Sequence, residues 1–198
     1  MRLVQLYGGL LLYGVSSSLL VLAGLGLDPW DVFHQGLSRT IGLAIGTWAI
    51  LVGVVVLLLW IPLRQRPGIG TLSNVVVVGG TMDLVLGQVH SPHGMAARIA
   101  CLVCGVFLNG VATGAYIGAG LGPGPRDGLM TGLAARGHSI RVVRTGIEVI
   151  VLASGWLLGG TVGVGTVLYA LSIGPLAHVF VPLFARGRPT PEHALEAV

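Results

Sequence analysis

The chain carries the stretch Gly24-Leu25-Gly26-x-x-Pro29-x-Asp31-x-x-x-x-Gly36-Leu37, and the same pattern returns 96 residues later as Gly120-Leu121-Gly122-x-x-Pro125-x-Asp127-x-x-x-x-Gly132-Leu133. Seven of the fifteen positions from 24 to 38 are identical in the two copies. A second match follows at a spacing of 95, where Gly68-Ile69-Gly70-Thr71 meets Gly163-Val164-Gly165-Thr166. The sequence is therefore an internal duplication that covers nearly the whole chain.

The composition places this duplication in a membrane. Hydrophobic residues make up 54% of the chain and charged residues only 9%, and the mean hydropathy is +0.89. A water-soluble fold would have too few polar side chains to cover its surface. Every basic side chain is Arg, and the Arg residues lie at the ends of apolar runs rather than on one polar face. This distribution argues against nucleic acid as a partner.

Six apolar runs fit membrane-spanning helices, each of which needs about 20 residues. The last two are inferred together, because the 40 residues from Thr145 to Phe184 allow two crossings and a tight Gly-rich turn. The sequence therefore predicts an all-α membrane protein with six transmembrane helices. The predicted spans are Val4–Leu25, Ile41–Leu63, Thr71–Val89, Ala96–Leu121, Thr145–Gly160 and Gly165–Phe184.

Three spans per copy is an odd number, so the second copy must enter the membrane from the opposite side to the first. We therefore expect two inverted-topology repeats, residues 1–94 and 95–185, followed by a cytoplasmic tail, 186–198. With both termini in the cytoplasm, nine Arg residues fall inside and only Arg39 and Arg98 fall outside, which agrees with the positive-inside rule. The expected location is the plasma membrane of a bacterium, with several passes.

Each copy also contains a short element, Pro29–Arg39 or Pro125–Arg136, that is too short to cross a bilayer. Each begins with a Gly-rich stretch and a Pro, which is tolerated in the first helical turn. We expect re-entrant or interfacial helices that enter the protein from opposite faces. Asp31 and Asp127 fall in the first turn, where a helix favours negative charge, and they either line a transport site or simply cap the helices.

The polar side chains within the spans give the candidate site. We expect a substrate to contact Asp31, Asp127, Arg126, Asn109 and Tyr13.

Proton coupling is expected from Asp83 and His178, which occupy equivalent positions of the two copies, and from Glu148. Alternatives remain for each of them. Asp83 can lie near the membrane surface, His178 can link neighbouring helices, and Glu148 can pair with Arg144 one turn away.

No cofactor, metal site or enzymatic activity is expected. Cys101-x-x-Cys104 lies in an apolar run without a second ligand pair, so two small packing residues are the expected interpretation. A nucleophile with a base at recognisable spacing is not evident in the sequence.

The paired motifs, the stretch Gly128-Leu-Met-Thr-Gly-Leu133 and the stretch Arg144-Thr-Gly-Ile-Glu148 resemble the YczE/YyaS/YitT family of bacterial integral membrane proteins, particularly its YczE-like branch. The resemblance runs over about residues 4–184. It implies a bacterial plasma-membrane location and a role that is poorly characterised. Relatives are treated as candidate transporters, and some are suspected of exporting secondary metabolites. The resemblance supplies neither a substrate nor catalytic residues.

Together these observations predict a secondary transporter or exporter of a small organic molecule that is proton-coupled and works by alternating access. The expected partners are the small-molecule substrate and membrane lipids, and a homo-oligomer is left open. The alternative is a membrane scaffold or regulatory protein that serves a biosynthetic partner and moves nothing.

Overall fold

The computed structural model of the protein describes residues 1–185, and all the regular structure in that range is helical. The predicted tail, 186–198, lies outside the described residues. The eight helices are α1 (Arg2–Ala23), α2 (Pro29–Ile41), α3 (Ile45–Leu63), α4 (Ile69–Gln88), α5 (Met95–Gly118), α6 (Pro125–Ala134), α7 (Ile140–Leu157) and α8 (Val164–Phe184).

Five of these helices are long and apolar enough to cross a membrane, namely α1, α3, α4, α5 and α8. They coincide with five of the six predicted spans. The remaining predicted span, Thr145–Gly160, overlaps α7, whose 18 residues carry Arg141, Arg144 and Glu148. The all-helical, multi-pass class predicted from the sequence is therefore confirmed, whereas a sixth crossing is not established by length and composition.

The two short helices begin at the predicted residues, Pro29 and Pro125. Proline has a fixed φ and no N–H, so it fits the first helical turn at no cost in hydrogen bonds. The cap of α2 is Asp28, whose carboxylate accepts from the backbone N–H groups of Trp30 and Asp31 at 3.1 and 3.2 Å. In α6, Asp127 accepts from the backbone N–H of Gly124 at 3.2 Å.

The long helices α1 and α5 pack together at the centre, with α4 against α1 and α8 against α5. The short helix of each sequence copy packs against a long helix of the other copy: α2 lies on α7, and α6 lies on α3. Trp60 of α3 fills the second of these contacts, since its ring lies against Gly128 and its indole N–H donates to the carbonyl of Pro125 at 3.0 Å. The two sequence copies are therefore packed into each other through their short helices and do not form two separate units.

Glycine permits the contact between α2 and α7. A Cβ added to Gly155 would lie 2.5 Å from the backbone nitrogen of Phe33, whereas a Cβ at Gly146 of the same helix would have no heavy atom within 4 Å. We expect Gly155→Ala to lower the free energy of unfolding by about 1–3 kcal/mol, because α2 and α7 must move apart. Gly146→Ala is the matched control and should leave it unchanged or slightly raised. Thermal unfolding in detergent measures both, and equal midpoints would contradict this packing.

Candidate functional site

The non-helical loops that precede α2 and α6 bond to the first turns of distant helices. Gly165 of α8 donates its N–H to the carbonyl of Leu25 at 2.8 Å, and Gly70 of α4 donates to the carbonyl of Leu121 at 2.9 Å. The hydroxyl of Thr71 also donates to the carbonyl of Pro123 at 2.8 Å. Non-helical backbone is tolerated at membrane depth only where the protein satisfies its polar groups. These bonds satisfy the carbonyl groups of Leu25, Leu121 and Pro123, and they fix the positions of the two short helices.

The N-terminal ends of α2 and α6 meet at a buried charged cluster. Arg126, in the first turn of α6, places Nη1 3.5 Å from Oδ1 of Asp28 and Nη2 3.9 Å from Oδ1 of Asp31. Its guanidinium carbon lies 4.9 Å from the centre of the Trp30 ring, which is cation–π distance. The side chains of Asp28 and Asp31 are 4% and 2% exposed, whereas that of Arg126 is 28% exposed. A single cation therefore bridges two carboxylates at the junction of the short helices.

His34 extends this cluster by one helical turn. Its Nδ1 lies 3.1 Å from Oδ1 of Asp31, and the side chain is only 1% exposed. A carboxylate can only accept, so Nδ1 carries the proton that joins the two groups. The other ring nitrogen, Nε2, is buried and has no hydrogen-bond partner in the structure. Buried polar atoms are nearly always paired, so this nitrogen requires an explanation.

Two further polar contacts surround the cluster. Oδ2 of Asp127 accepts from the hydroxyl of Tyr116 at 3.1 Å, and the Tyr116 ring meets the ring of Tyr13 edge-on. Asn109, fully buried in α5, donates to Oγ of Ser16 at 3.0 Å and accepts from the hydroxyl of Tyr169, also at 3.0 Å. Asn109 thereby connects α1, α5 and α8 behind the site.

Two cavities adjoin the cluster and share one wall. We call this the shared wall; it consists of Tyr13, Trp30, Tyr116, Arg126 and Asp127. The first cavity has a volume of about 80 Å³ and is otherwise lined mainly by α3 and α4. The second cavity has a volume of about 240 Å³ and is otherwise lined mainly by α5, α7 and α8.

The outer walls of the two cavities come from equivalent positions of the duplicated sequence. Six positions of α3 and α4 that line the first cavity have counterparts 95 residues later that line the second. The first set is Ala49, Gly53, Asn74, Val75, Val78 and Gly79, and the second set is Arg144, Glu148, Tyr169, Ala170, Ile173 and Gly174. The outer wall of the second cavity is charged at two of these positions, where the first has Ala and Gly.

Most of the residues expected at the site lie at or beside it. Arg126, Asp127 and Tyr13 belong to the shared wall, and Asp31 pairs with Arg126. Asn109 is one hydrogen bond away through Tyr169, which lines the second cavity. Glu148 lines that cavity too, with its Oε1 3.1 Å from Nε of Arg144.

Asp83 and His178 do not line either cavity. Asp83 accepts from the backbone N–H of Gly46 at 2.6 Å and from the hydroxyl of Thr47 at 2.7 Å, so it ties α4 to the first turn of α3. His178 is exposed on α8. The role of both in proton coupling stays a prediction.

Sequence reasoning missed several residues of the site, chiefly Asp28, Trp30, His34 and Tyr169. Asp28 could have been recognised from the sequence, because an Asp directly before a Pro commonly caps a helix. His34 stands three residues after Asp31, which places both on one helical face. Tyr169 had no such signal, since it lies in an apolar helix far along the chain from its partners.

The fold and the site define a multi-pass helical membrane protein with a buried charged centre. The chain belongs to the family described as "Family of unknown function (DUF6198)", which matches residues 1–182.

Three relatives are similar over most of their length, and the names of two of them confirm the resemblance to the YczE-like family. An "Uncharacterized protein" of Haemophilus influenzae is 41% identical over 87% of this chain and 80% of its own. The "Uncharacterized membrane protein YczE" of Bacillus subtilis is 34% identical over 89% of this chain and 83% of its own. The "Uncharacterized protein YyaS" of the same organism is 31% identical over 91% of this chain and 92% of its own. No solved structure is significantly similar to the chain.

Proposed function

We propose that this protein is a secondary transporter or exporter of a small organic molecule, built from two inverted repeats and working by alternating access. One observation carries the proposal: two cavities with outer walls from equivalent positions of the two copies share one wall that contains Arg126 and Asp127. Transporters built from inverted repeats hold their substrate where the repeats meet, between the N-terminal ends of short helices. The ends of α2 and α6 meet at this wall.

The contacts at the ends of the helices support an inverted arrangement. At one end of the bundle, Gln5 donates to the carbonyl of Phe184 and Arg136 to that of Pro62. At the other end, Arg98 donates to the carbonyl of Ala23 and Arg39 to that of Gly159. These pairs favour opposite directions for α1 and both α5 and α8, and for α7 and α3. The contacts of Tyr7 with Ser73 and of Gly14 with Thr81 favour the direction of α1 for α4 as well. The bond from Gly46 to Asp83 favours the opposite direction for α3.

Arginine is distributed unequally between these two ends. In the described part of the chain, the first end holds Arg2, Arg64, Arg66, Arg136 and Arg141, and the second holds Arg39 and Arg98. Such an asymmetry favours an orientation in a bacterial plasma membrane in which the first end lies in the cytoplasm. The N-terminus would lie on the same side.

The unequal volumes support the same mechanism. The second cavity is about 240 Å³ and the first about 80 Å³, although both are built on the same sequence pattern. If the two halves exchange conformations, the first cavity widens and the second narrows. Movement of the Arg126 side chain away from Asp28 and Asp31 would open the shared wall during this exchange. Proton coupling belongs to the proposal too, since the carboxylate of Asp127 in the shared wall and those of Asp28 and Asp31 beside it can bind a transported proton.

Labelling of single cysteines tests alternating access without knowledge of the substrate. Ala49→Cys lines the first cavity and Ile173→Cys the second, and both are made in a chain whose Cys101 and Cys104 are replaced by Ala. A membrane-impermeant maleimide is applied to sealed vesicles of each orientation. We expect the two cysteines to react from opposite sides of the membrane, because each cavity opens to one side in its own state.

Leu171→Cys is the matched control, since Leu171 is 72% exposed on the outer surface of α8 and would face lipid. It should react from neither side. Labelling of both cavity positions from the same side, or of neither, would contradict alternating access. If neither cavity position is labelled although both variants fold normally, the scaffold alternative would be favoured.

A further inference from the structure

One buried nitrogen beside the first cavity needs a hydrogen-bond donor. His34 lines this cavity, and its Nε2 is buried without a partner while Nδ1 is occupied by Asp31. In a neutral imidazole with its proton on Nδ1, Nε2 is an acceptor. Leaving a buried acceptor unpaired is unfavourable, so the site favours a ligand that brings an N–H or O–H group.

The charge beside the first cavity favours a cationic ligand. The carboxylates of Asp28, Asp31 and Asp127 lie at this cavity or one contact away, against a single guanidinium group, that of Arg126. Buried carboxylates need positive charge or protons nearby. A positive ligand would reduce this imbalance, whereas an anion would increase it.

Arg126 already occupies the position that an organic cation would take. Its guanidinium lies over the Trp30 ring and faces Asp28 and Asp31 at 3.5 and 3.9 Å. Close charge-assisted hydrogen bonds measure about 2.7–2.9 Å, so both of these contacts are loose. A ligand that makes shorter bonds to the same carboxylates can therefore compete with the Arg126 side chain.

The walls of the first cavity suit the rest of such a ligand. Val52, Val56, Val75 and Val78 line the face that belongs to α3 and α4. A volume of about 80 Å³ accommodates several water-sized groups. Among residues 1–185, no three His, Cys, Asp or Glu side chains come together to hold a metal ion, which favours an organic cation over a metal. The apolar wall would contact a short alkyl group.

We propose that the first cavity binds a small organic cation with N–H donors, of the alkylguanidinium or alkylammonium class, which displaces the Arg126 guanidinium from Asp28 and Asp31. The charged head would donate to Nε2 of His34 and lie against the Trp30 ring. That this ion is the transported substrate rests on the proposed function above. Displacing Arg126 would unlink α2 from α6, so that binding and the opening of the shared wall become one event.

Binding of radiolabelled methylguanidinium to the purified protein in detergent tests this site. We expect saturable binding to the natural sequence. In Arg126→Ala the affinity should rise about tenfold, because the internal competitor is gone. In His34→Phe it should fall about tenfold, because the acceptor is lost while the volume of the ring is kept. His138→Phe is the control for the substitution, since His138 lies outside both cavities.

Tetramethylammonium, a cation without N–H groups, is the competing probe and should displace methylguanidinium poorly. Equal competition by tetramethylammonium, or unchanged affinity in His34→Phe, would overturn the role of His34. Absence of methylguanidinium binding in both the natural sequence and Arg126→Ala would overturn the site. If Arg126→Ala does not fold, the comparison of His34→Phe with His138→Phe still tests whether the bound cation donates to His34. A negative result here together with labelling of Ala49→Cys and Ile173→Cys from opposite sides would leave transport standing with another class of substrate.

Discussion

Replacing Arg126 with Met is expected to lower the free energy of unfolding by about 1–3 kcal/mol, the usual cost of leaving a buried polar group without its partner. Asp28 and Asp31 are almost completely buried, and Arg126 is the cation that both of them face. Met fills much of the same volume but carries no charge. The two carboxylates would then have to lose their charge or draw water into the protein, and the junction between α2 and α6 would weaken.

The measurement is thermal or denaturant unfolding in detergent, with Arg144→Met as the matched control. Arg144 pairs with Glu148 one turn along α7, and their side chains are 25% and 35% exposed. An i, i+4 pair of this kind contributes about 0.3–0.5 kcal/mol, and the carboxylate left behind, that of Glu148, is partly exposed to solvent, so the control should lose less stability. The double variant Arg126→Met with Asp28→Asn should recover part of the loss, because one unpaired carboxylate is removed. Equal losses in the free energy of unfolding would show that the pairing of Arg126 with Asp28 and Asp31 stabilises the protein no more than the pair of Arg144 with Glu148.

The chain's own chemistry allowed much of the fold to be predicted. The starts of α2 and α6 followed from Pro29 and Pro125, since only the first turn of a helix accepts a proline without penalty. The long helices followed from the apolar runs. The helix starts also locate the one-residue change between the copies: Pro29 and Pro125 are 96 apart, whereas Ile45 and Ile140 are 95 apart. The change therefore falls between Leu37 and Ile45 in the first copy and between Leu133 and Ile140 in the second, in the last turn of the short helix or the connection after it.

The site was harder to predict, because its residues come together only through the interlocking of the two copies. The pairing of Arg126 with Asp28 joins positions 98 apart, and neither residue type predicts the other. Asp83 was expected to act with His178 in proton coupling because they occupy equivalent positions, yet its carboxylate bonds to Gly46 and Thr47 of α3. His178 illustrates a second difficulty. In a membrane helix both the lipid face and the packed face are apolar, so periodicity alone does not tell which of them a residue occupies.

The loops before the short helices carry the second large prediction. Gly122 has φ +124°, and a Cβ built there would lie 2.7 Å from Oγ1 of Thr71 and 3.1 Å from Cα of Gly68. Gly26 is its counterpart, with φ +116°, and a Cβ at this position would lie 2.7 Å from the backbone nitrogen of Gly163. We expect Gly122→Ala and Gly26→Ala each to lower the free energy of unfolding by about 3 kcal/mol, from backbone strain together with steric overlap.

Gly120→Ala is the matched control, because Gly120 also has a positive φ, +66°, but a Cβ there would have no neighbour within 4 Å. Its cost should be about 1 kcal/mol, that of the left-handed conformation alone. Unfolding in detergent separates the two values, and a loss at Gly120 as large as that at Gly122 would refute the packing of loop against helix. The same variants link fold to function. The loops hold the N-terminal ends of α2 and α6 at the shared wall, so loosening either one should let Ala49→Cys and Ile173→Cys react from both sides of the membrane.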